Sequence, residues 1–517
     1  MTTSSMLKRL SAQLNIAKLK RHHHFYIGPT NSGKTYLALT ALEKAKSGIY
    51  LAPLRLLAME IRDRLVAAGV PCDLITGEER VLMPGAMHIA STIEMMQPNK
   101  IVEVAVIDEI QMLQDPSRGS AWSTALLSVP AHKVYICGSN AVTALCTRLL
   151  DALNEPYEIT YLTRKTPLVL ERESICGRQY SKHKFKQNLQ NHTAFKLQKG
   201  DAVIAFTRKD VLTLSARFRQ WGYSVASIYG ALSPEVRRIE SARFCEGAAD
   251  ILVATDAIGM GLNLPIRRII FSSITKFDGV ASRLLNATEV RQIAGRAGRY
   301  GIYETGYVNV LENDELIHIQ HMLNADDTSE LTKLPIGLRF QELEKTATLL
   351  HTKKISEILT YHQERMCSSD DLFIASPLNT HIIQAEIIDN TAPNMSLKDK
   401  YIFVCAPITL NLPYEKDYFL LCLKSVADSQ IRFVLSEPMW LKSNASHLRI
   451  SEQLEAAELL CHNLSLYAWL SFKFPKIFVD GDKVKALRSR LSKYINGALL
   501  IQNGYGDTSR ELDLIKY

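Results

Sequence analysis

Gly28, Pro29, Thr30, Asn31, Ser32, Gly33, Lys34 and Thr35 spell G-x-x-x-x-G-K-T, entered from apolar Phe25, Tyr26 and Ile27 and left through a helix-compatible run from Tyr36 to Lys46. Glycines at the two ends let a backbone curl until its N–H groups point inward, and the following helix N-terminus adds partial positive charge. In such a loop Lys34 reaches the outer phosphates of a nucleotide and the Thr35 hydroxyl ligates magnesium. Hydrolysis of that nucleotide further needs a carboxylate in the metal shell and another that orients or deprotonates water. Asp108 and Glu109 end the apolar strand Val102 to Ile107 and suit the two tasks, Asp108 for the metal and Glu109 for the water. A third group, Gln292, Arg296 and Arg299, stands in the spacing Q-x-x-G-R-x-G-R. Two arginines three residues apart on one helix face project together, reach a γ-phosphate across a cleft and stabilise transition-state charge; Gly295 and Gly298 leave room for the opposing surface.

These groups meet only if the strands that carry them are parallel. Near-continuous apolar strands buried on both faces mark such sheets, and their ligands bind at the carboxyl edge. Ile49–Ala52, the strand before Asp108, and Val134–Cys137, which delivers Gly138, Ser139, Asn140 and Ala141, fit that description. The alternation restarts at Pro167. Ala202–Phe206 leads to Thr207, Ser224–Tyr229 to Gly230, and Ile251–Ala254 to Thr255, Asp256 and Gly259, before Arg268–Phe271 precedes the arginine helix. From about Leu331 long amphipathic patterns take over, among them Leu338–Leu350, Ile355–Arg365 and Gln453–Phe474, with a non-helical stretch near Leu441–Leu448. The expected division is a first α/β domain over 1–163, a second over 164–326 and a mostly α-helical accessory domain over 327–517.

With 517 residues the chain exceeds one core, and 47% hydrophobic with 22% charged content is that of a soluble globular protein. No apolar run is long enough to cross a bilayer. The net charge of +8 is compatible with a polyanionic partner, and residues 174–200, rich in lysine and arginine, offer either phosphate contacts or a solvated helix face. Nine cysteines without a C-x-x-C pair indicate a reducing compartment and neither a disulfide framework nor a zinc module. His22, His23 and His24 stand just before the first strand and read as exposed or RNA-facing residues rather than as a metal site. Lys8, Arg9, Lys18, Lys20 and Arg21 make a basic lead-in helix, preferred over a mitochondrial presequence of similar composition.

Motif by motif, residues 25 to 300 resemble the superfamily 2 helicases. Gly28–Thr35, Ala52–Ala58, Asp108–Gln111, Arg118–Trp122, Tyr229–Arg237 and Lys276–Gly279, with Leu397–Tyr401, Ala406–Pro407, Leu466–Leu470 and Phe474–Pro475 farther on, resemble the RNA helicase of the mitochondrial degradosome, the suppressor-of-Var family. The resemblance implies two tandem RecA-like parallel-sheet domains followed by a helical domain, with ATP and magnesium between the sheets. It adds Asp256 and Gly259 to the nucleotide-binding set and places Arg55, Thr76, Thr92, Thr207 and Thr255 against the phosphates of single-stranded RNA or a tailed duplex. It further implies 3′ to 5′ movement, RNA turnover and an exoribonuclease partner. The family's long N-terminal domain is not seen here, and the expected setting is therefore a bacterial cytoplasm rather than a mitochondrial matrix. Gly138–Ala141 is only loosely similar to the family's third motif, and no adenine-selecting glutamine motif precedes residue 25. A DNA translocase and a non-enzymatic RNA-binding scaffold are the competing readings; retention of Lys34, Glu109 and Arg299 argues against the second.

Overall fold

The computed structural model describes residues 19–176, 196–259, 263–277, 281–325, 331–366, 370–408, 413–428, 433–435 and 450–501. Most of the basic lead-in, most of the 174–200 stretch, Asp278 and Gly279, and Leu441–Leu448 lie outside them.

The first sheet contains β1 (His22–Ile27), β2 (Gly48–Ala52), β3 (Cys72–Ile75), β4 (Arg80–Val81), β5 (His88–Thr92), β6 (Val102–Ile107), β7 (Ala131–Gly138) and β8 (Tyr157–Tyr161), in the order β4-β3-β5-β2-β6-β7-β1-β8. Every pairing is parallel except β3 with β4. The second sheet contains β9 (Leu168–Leu170), β10 (Asp201–Ile204), β11 (Val225–Ile228), β12 (Ile251–Ala254), β13 (Arg268–Phe271) and β16 (Gly306–Val310), all parallel, in the order β11-β12-β10-β13-β16-β9. A hairpin of β14 (Thr275–Phe277) and β15 (Ser282–Leu284) follows β13. These are two RecA-like sheets in tandem. Strands such as Ile251–Ala254 and Gly48–Ala52 are buried at every position, which is why they read as unbroken apolar runs rather than alternating ones.

The remaining described chain is mostly helical, with two short strands that the amphipathic patterns did not signal, β17 (Leu334–Ile336) and β18 (Phe373–Ala375). Leu334, Ile336, Leu372 and Phe373 join the core of the first sheet beside Trp122 and Leu126. The later helices instead share a core with the second sheet, through Phe218, Tyr229, Phe403, Phe419 and Tyr467. The third region thus grips both sheets. Among the described residues no helix is long and apolar enough to cross a membrane.

The histidine triplet lies within β1, not before it, and this corrects the expectation that all three are exposed. Alternate side chains of a strand face opposite ways, so His23 is fully buried while His22 and His24 stay half-buried. Arg21 is no free basic residue either. It is buried and bidentate to Glu155, at 2.8 and 2.7 Å, and donates to the Leu126 carbonyl at 3.2 Å.

Candidate active site

β1 and β6 are separated by β7 alone, and their common direction brings Gly28–Thr35 and Asp108–Glu109 to one edge. The phosphate loop needs its glycines for different reasons. A Cβ on Gly28 would lie 2.4 Å from the Leu162 carbonyl oxygen, whereas Gly33 takes φ +90° at the start of the helix Lys34–Lys44. Lys34 Nζ donates to the Pro29 carbonyl at 3.2 Å, curling over its own loop, and Thr35 Oγ1 stands 3.3 and 3.4 Å from the two Asp108 carboxylate oxygens.

Asp108 is only 2% exposed. The buried Tyr50 hydroxyl donates to its Oδ2 at 2.5 Å, the Glu109 amide to its Oδ1 at 2.9 Å, and Trp122 Nε1 to its carbonyl at 2.9 Å. Burial, and then the neighbouring Glu109 charge, push the Asp108 carboxyl up to about 6, against the Tyr50 hydrogen bond and Lys34. A cation beside Thr35 relieves that penalty, so this donor set fits a magnesium ion. Glu109 holds a left-handed φ of +52°, costly for a residue with a Cβ, and its carboxylate accepts from Gln111 Nε2. Gln111 Oε1 in turn accepts from the Ser139 amide at 3.1 Å. A hydrogen-bonded relay therefore links the Glu109 carboxylate to the Gly138–Ala141 loop.

The second sheet supplies the opposite wall. The helix Ala287–Ala294 starts at an Asn286–Glu289 capping box and stops at Gly295, so Arg296 and Arg299 lie on the turn beyond it, not on a helix face as expected. Gly298 takes a left-handed φ of +70°, through which a right-handed helix cannot continue, and lies against Gly306, while a Cβ on Gly295 would meet the Thr30 side chain at 2.7 Å. Close approach of the two halves, expected from these glycines, is seen directly: Arg164 donates to the carbonyls of Thr30 at 3.0 Å and Gly295 at 2.7 Å, and also to Ala297. Asn31 donates to the Gly298 carbonyl. Burial pushes the Arg164 guanidinium down to about 10.

A cleft of about 400 Å³ brings Lys34, Thr35, Asp108 and Glu109 together with Arg296 and Arg299. Arg296 donates to the Gly259 carbonyl at 2.5 Å and Arg299 to that of Asn263 at 2.7 Å. Glu60, from the helix Arg55–Ala67, also lines the cleft. A second cavity of about 370 Å³ on the other flank of the loop shares Lys34, Glu109 and Arg296 and adds Gln111 and Gln292. Gln292 therefore faces the phosphate loop, whereas Gly259 lines neither cavity and meets the site through its carbonyl, which accepts from Arg296. Asp256 belongs to neither cavity; its Oδ2 accepts from Lys276 Nζ at 2.6 Å.

The five residues expected at RNA lie at or after strand ends on carboxyl edges, yet the side chains of Arg55, Thr76, Thr207 and Thr255 are engaged within the protein. Arg55, expected at phosphates, is ion-paired with Glu78 and Glu79, both at 2.8 Å, and with Glu235 of the second half at 3.1 Å. Arg488, from the C-terminal helix Gly481–Ile501, reaches the same Glu78 at 2.7 Å. Thr76 is buried and exchanges hydrogen bonds with the Glu79 backbone, and Thr207 caps the helix Arg208–Gln220 through the Asp210 amide at 3.0 Å. Thr255 accepts from the Ala257 amide at 3.4 Å, and Thr92 is half-buried at the end of β5. Tyr50, Gln111, Glu60 and Arg164 were not expected at the site. Gln111 alone left a signal, its place beside Asp108 and Glu109.

Four family models match in chain order: the DEXQ-box helicase domain of Suv3 over residues 13–162, the helicase conserved C-terminal domain over 183–301, the Suv3 C-terminal domain 1 over 383–421 and the ATP-dependent RNA helicase SUV3 C-terminal domain over 454–500. Among curated proteins, the mitochondrial ATP-dependent RNA helicase SUV3 of Oryza sativa subsp. japonica is 34% identical, covering 95% of this chain and 83% of the relative. The mitochondrial DExH-box ATP-dependent RNA helicase DExH18 of Arabidopsis thaliana and SUPV3L1 of Danio rerio are each 33% identical, over 93% and 92% of this chain. The chain spans 60% and 62% of the length of those last two. All three relatives are named as mitochondrial, which overturns the expectation of a bacterial cytoplasmic setting.

Proposed function

Because the chain belongs to the SUV3 family of RNA helicases, we propose that it hydrolyses ATP between its two RecA-like sheets and uses the closing and opening of that cleft to move along single-stranded RNA and unwind duplexes. The observation that carries this reading is the single cleft holding Lys34, Asp108 and Glu109 from one half and Arg296 and Arg299 from the other.

In this mechanism the loop N–H groups and Lys34 bind the phosphates, and Glu109, fixed by Gln111, orients the attacking water. Arg296 and Arg299 stabilise the charge that develops on the transferring phosphoryl group. Thr35 and Asp108 would hold magnesium, which when bound supplies neutralisation across the outer phosphates. The Glu109–Gln111–Ser139 relay carries the state of the acid to the loop after β7, a physical route from hydrolysis to domain movement. Substrate contacts come from the carboxyl edges that bear Arg55, Thr76, Thr92, Thr207 and Thr255. They track the backbone with little sequence information, and in this reading RNA displaces the carboxylates now on Arg55. We assign 3′ to 5′ polarity, an exoribonuclease partner and a mitochondrial location on the strength of the family, and the division at residues 163 and 326 on the alternation of strands and helices along the chain.

The test is ATP hydrolysis with and without RNA, together with unwinding of duplexes carrying 3′ or 5′ tails of RNA or DNA. RNA-stimulated hydrolysis and unwinding from the 3′ tail are expected, both abolished by Lys34→Ala. Hydrolysis that survives Lys34→Ala would remove the assigned site, and equal stimulation by DNA would remove the preference for RNA.

A further inference from the structure

The half-buried face of β1 carries a constellation that nucleotide chemistry does not use. His22 and His24 share that face because they are two positions apart on a strand, and Glu158 of the edge strand β8 is the register partner of His24. His22 Nδ1 lies 2.9 Å from His24 Nε2. The Glu158 carboxylate stands 3.8 Å from His22 Nε2 and 3.5 Å from His24 Nδ1. One ligand atom from each of the three residues falls within a 4.8 Å span. The His24 ring is also held in place: it stacks on Tyr135 at 5.0 Å between centroids, and Tyr135 stacks on Tyr26 at 5.7 Å.

We propose that His22, His24 and Glu158 form a binding site for a divalent transition-metal ion, zinc foremost. Two imidazoles and a carboxylate are a zinc donor set, with bonds of about 2.0–2.2 Å, and a tetrahedral ion needs ligand atoms roughly 3.3 Å apart. The two histidines meet that spacing with a shift of a few tenths of an ångström. The half-exposed face leaves the fourth position to water. Magnesium and calcium, which take oxygen ligands, are poorly served here. Lys133, the register partner of His22, opposes the incoming charge and sets the affinity below that of a closed structural site.

The site lies at the amino-terminal end of β1, at the opposite end of the strand from the phosphate loop. Its effect is therefore structural: the ion ties β1 to β8, whose continuation at Leu162 donates to the Ile27 carbonyl at 2.7 Å and presses on Gly28. Zinc should stabilise the frame of the loop without entering the reaction.

The experiment uses the full chain without an affinity tag, stripped of metal, and titrates zinc against a chromophoric chelator while following the melting temperature. The wild type should bind one more equivalent than the His22→Ala/His24→Ala double variant and melt higher with zinc, an increment the double variant lacks. Glu158→Gln should weaken binding about tenfold. Millimolar magnesium should not compete, and the ATPase rate of both variants should equal that of wild type, which also reports that they fold. X-ray absorption of the zinc-loaded protein should show nitrogen and oxygen neighbours only. Equal stoichiometry in wild type and double variant, or sulfur in the metal shell, overturns the proposal; should the double variant misfold, His22→Asn alone must still lower the affinity.

Discussion

The cleft around Lys34 and the junction around Arg55 both gather arginines from distant parts of the chain, and they hold them by different means. At the cleft, Arg164, Arg296 and Arg299 donate to backbone carbonyls, those of Thr30, Gly295, Gly259 and Asn263 among them. A carbonyl dipole holds a guanidinium without a direct ion pair, although Glu60, Asp108 and Glu109 share the cleft and their charges act on Arg296. At the junction, Arg55 and Arg488 are bound by Glu78, Glu79 and Glu235, so the charges of three chain regions neutralise one another. The cleft is thus prepared for a polyanion in its present arrangement. On the proposed RNA path the junction would have to exchange carboxylates for phosphates first, and that exchange would loosen a contact between the two sheets and the C-terminal helices. On the proposed function the two regions would have different duties, one charge stabilisation at short range and the other reporting occupancy of the RNA path.

The largest effect is expected where retained charge does the chemistry. Arg299→Ala should lower turnover roughly a thousandfold while leaving ATP binding nearly intact, because its guanidinium acts on charge that develops only in the transition state. Single-turnover hydrolysis beside equilibrium nucleotide binding measures the two separately. A parallel loss in both would mean that Arg299 is a ground-state binder and that the carbonyl-held set has no special role. Arg164→Lys tests the scaffold. An ammonium cannot span the carbonyls of Thr30, Gly295 and Ala297 in the way a planar fork does, so the Michaelis constant for ATP should rise about tenfold with a smaller change in turnover. An unchanged constant would show that the two halves are held in register by other contacts.

Legibility in the sequence follows the same division. The phosphate loop, the Asp108–Glu109 pair and the two arginines were readable because the chemistry dictates both residue type and local spacing. The parallel strands were readable because burial on both faces leaves runs such as Ile251–Ala254 wholly apolar. What the sequence hid is non-local. Tyr50 is 58 positions from the Asp108 it supports, and Arg55 is 180 from Glu235. Periodicity carries no trace of such partners. The arginine motif misled for a related reason: its glycines look compatible with a helix until the left-handed turn at Gly298 packs against the Gly306 backbone and Gly295 against the Thr30 side chain. The histidine triplet misled because three identical side chains conceal the alternation that buries only the middle one.

A smaller effect should appear when the junction is partly unlocked. Glu235→Gln removes a carboxylate from both Arg55 and Arg488, which it faces at 3.1 and 3.7 Å. RNA affinity should rise about threefold at low salt, and the gain should shrink as ionic strength increases, since the released charge is screened within about 10 Å at 0.1 M. Fluorescence anisotropy with a labelled single strand over a salt series reads this out. A variant that binds RNA no better than wild type at any salt would mean that Arg55 is a structural residue and that the strand passes elsewhere.

The smallest effect on activity, none at all, should accompany a clear effect on stability at His23. This buried imidazole lies 3.4 Å from Glu155, and burial, with Arg21 next in weight, holds it down at about 3. The unfolded chain takes up the proton below about 6.5. Between those values the unfolded state binds a proton that the folded state refuses, so stability falls as pH drops from about 6.5 toward 3. From neutrality to pH 5 the loss from this one group is about 2 kcal/mol. His23→Leu removes the titration while Arg21 and Glu155 keep each other paired. Urea midpoints at pH 7 and pH 5 should therefore draw closer together in the variant than in wild type, and ATP hydrolysis at pH 7 should be the same in both. An equal acid shift in the two proteins would show that His23 is already protonated in the folded chain, and would place the charge balance at the foot of β1 with Glu155 rather than with Arg21.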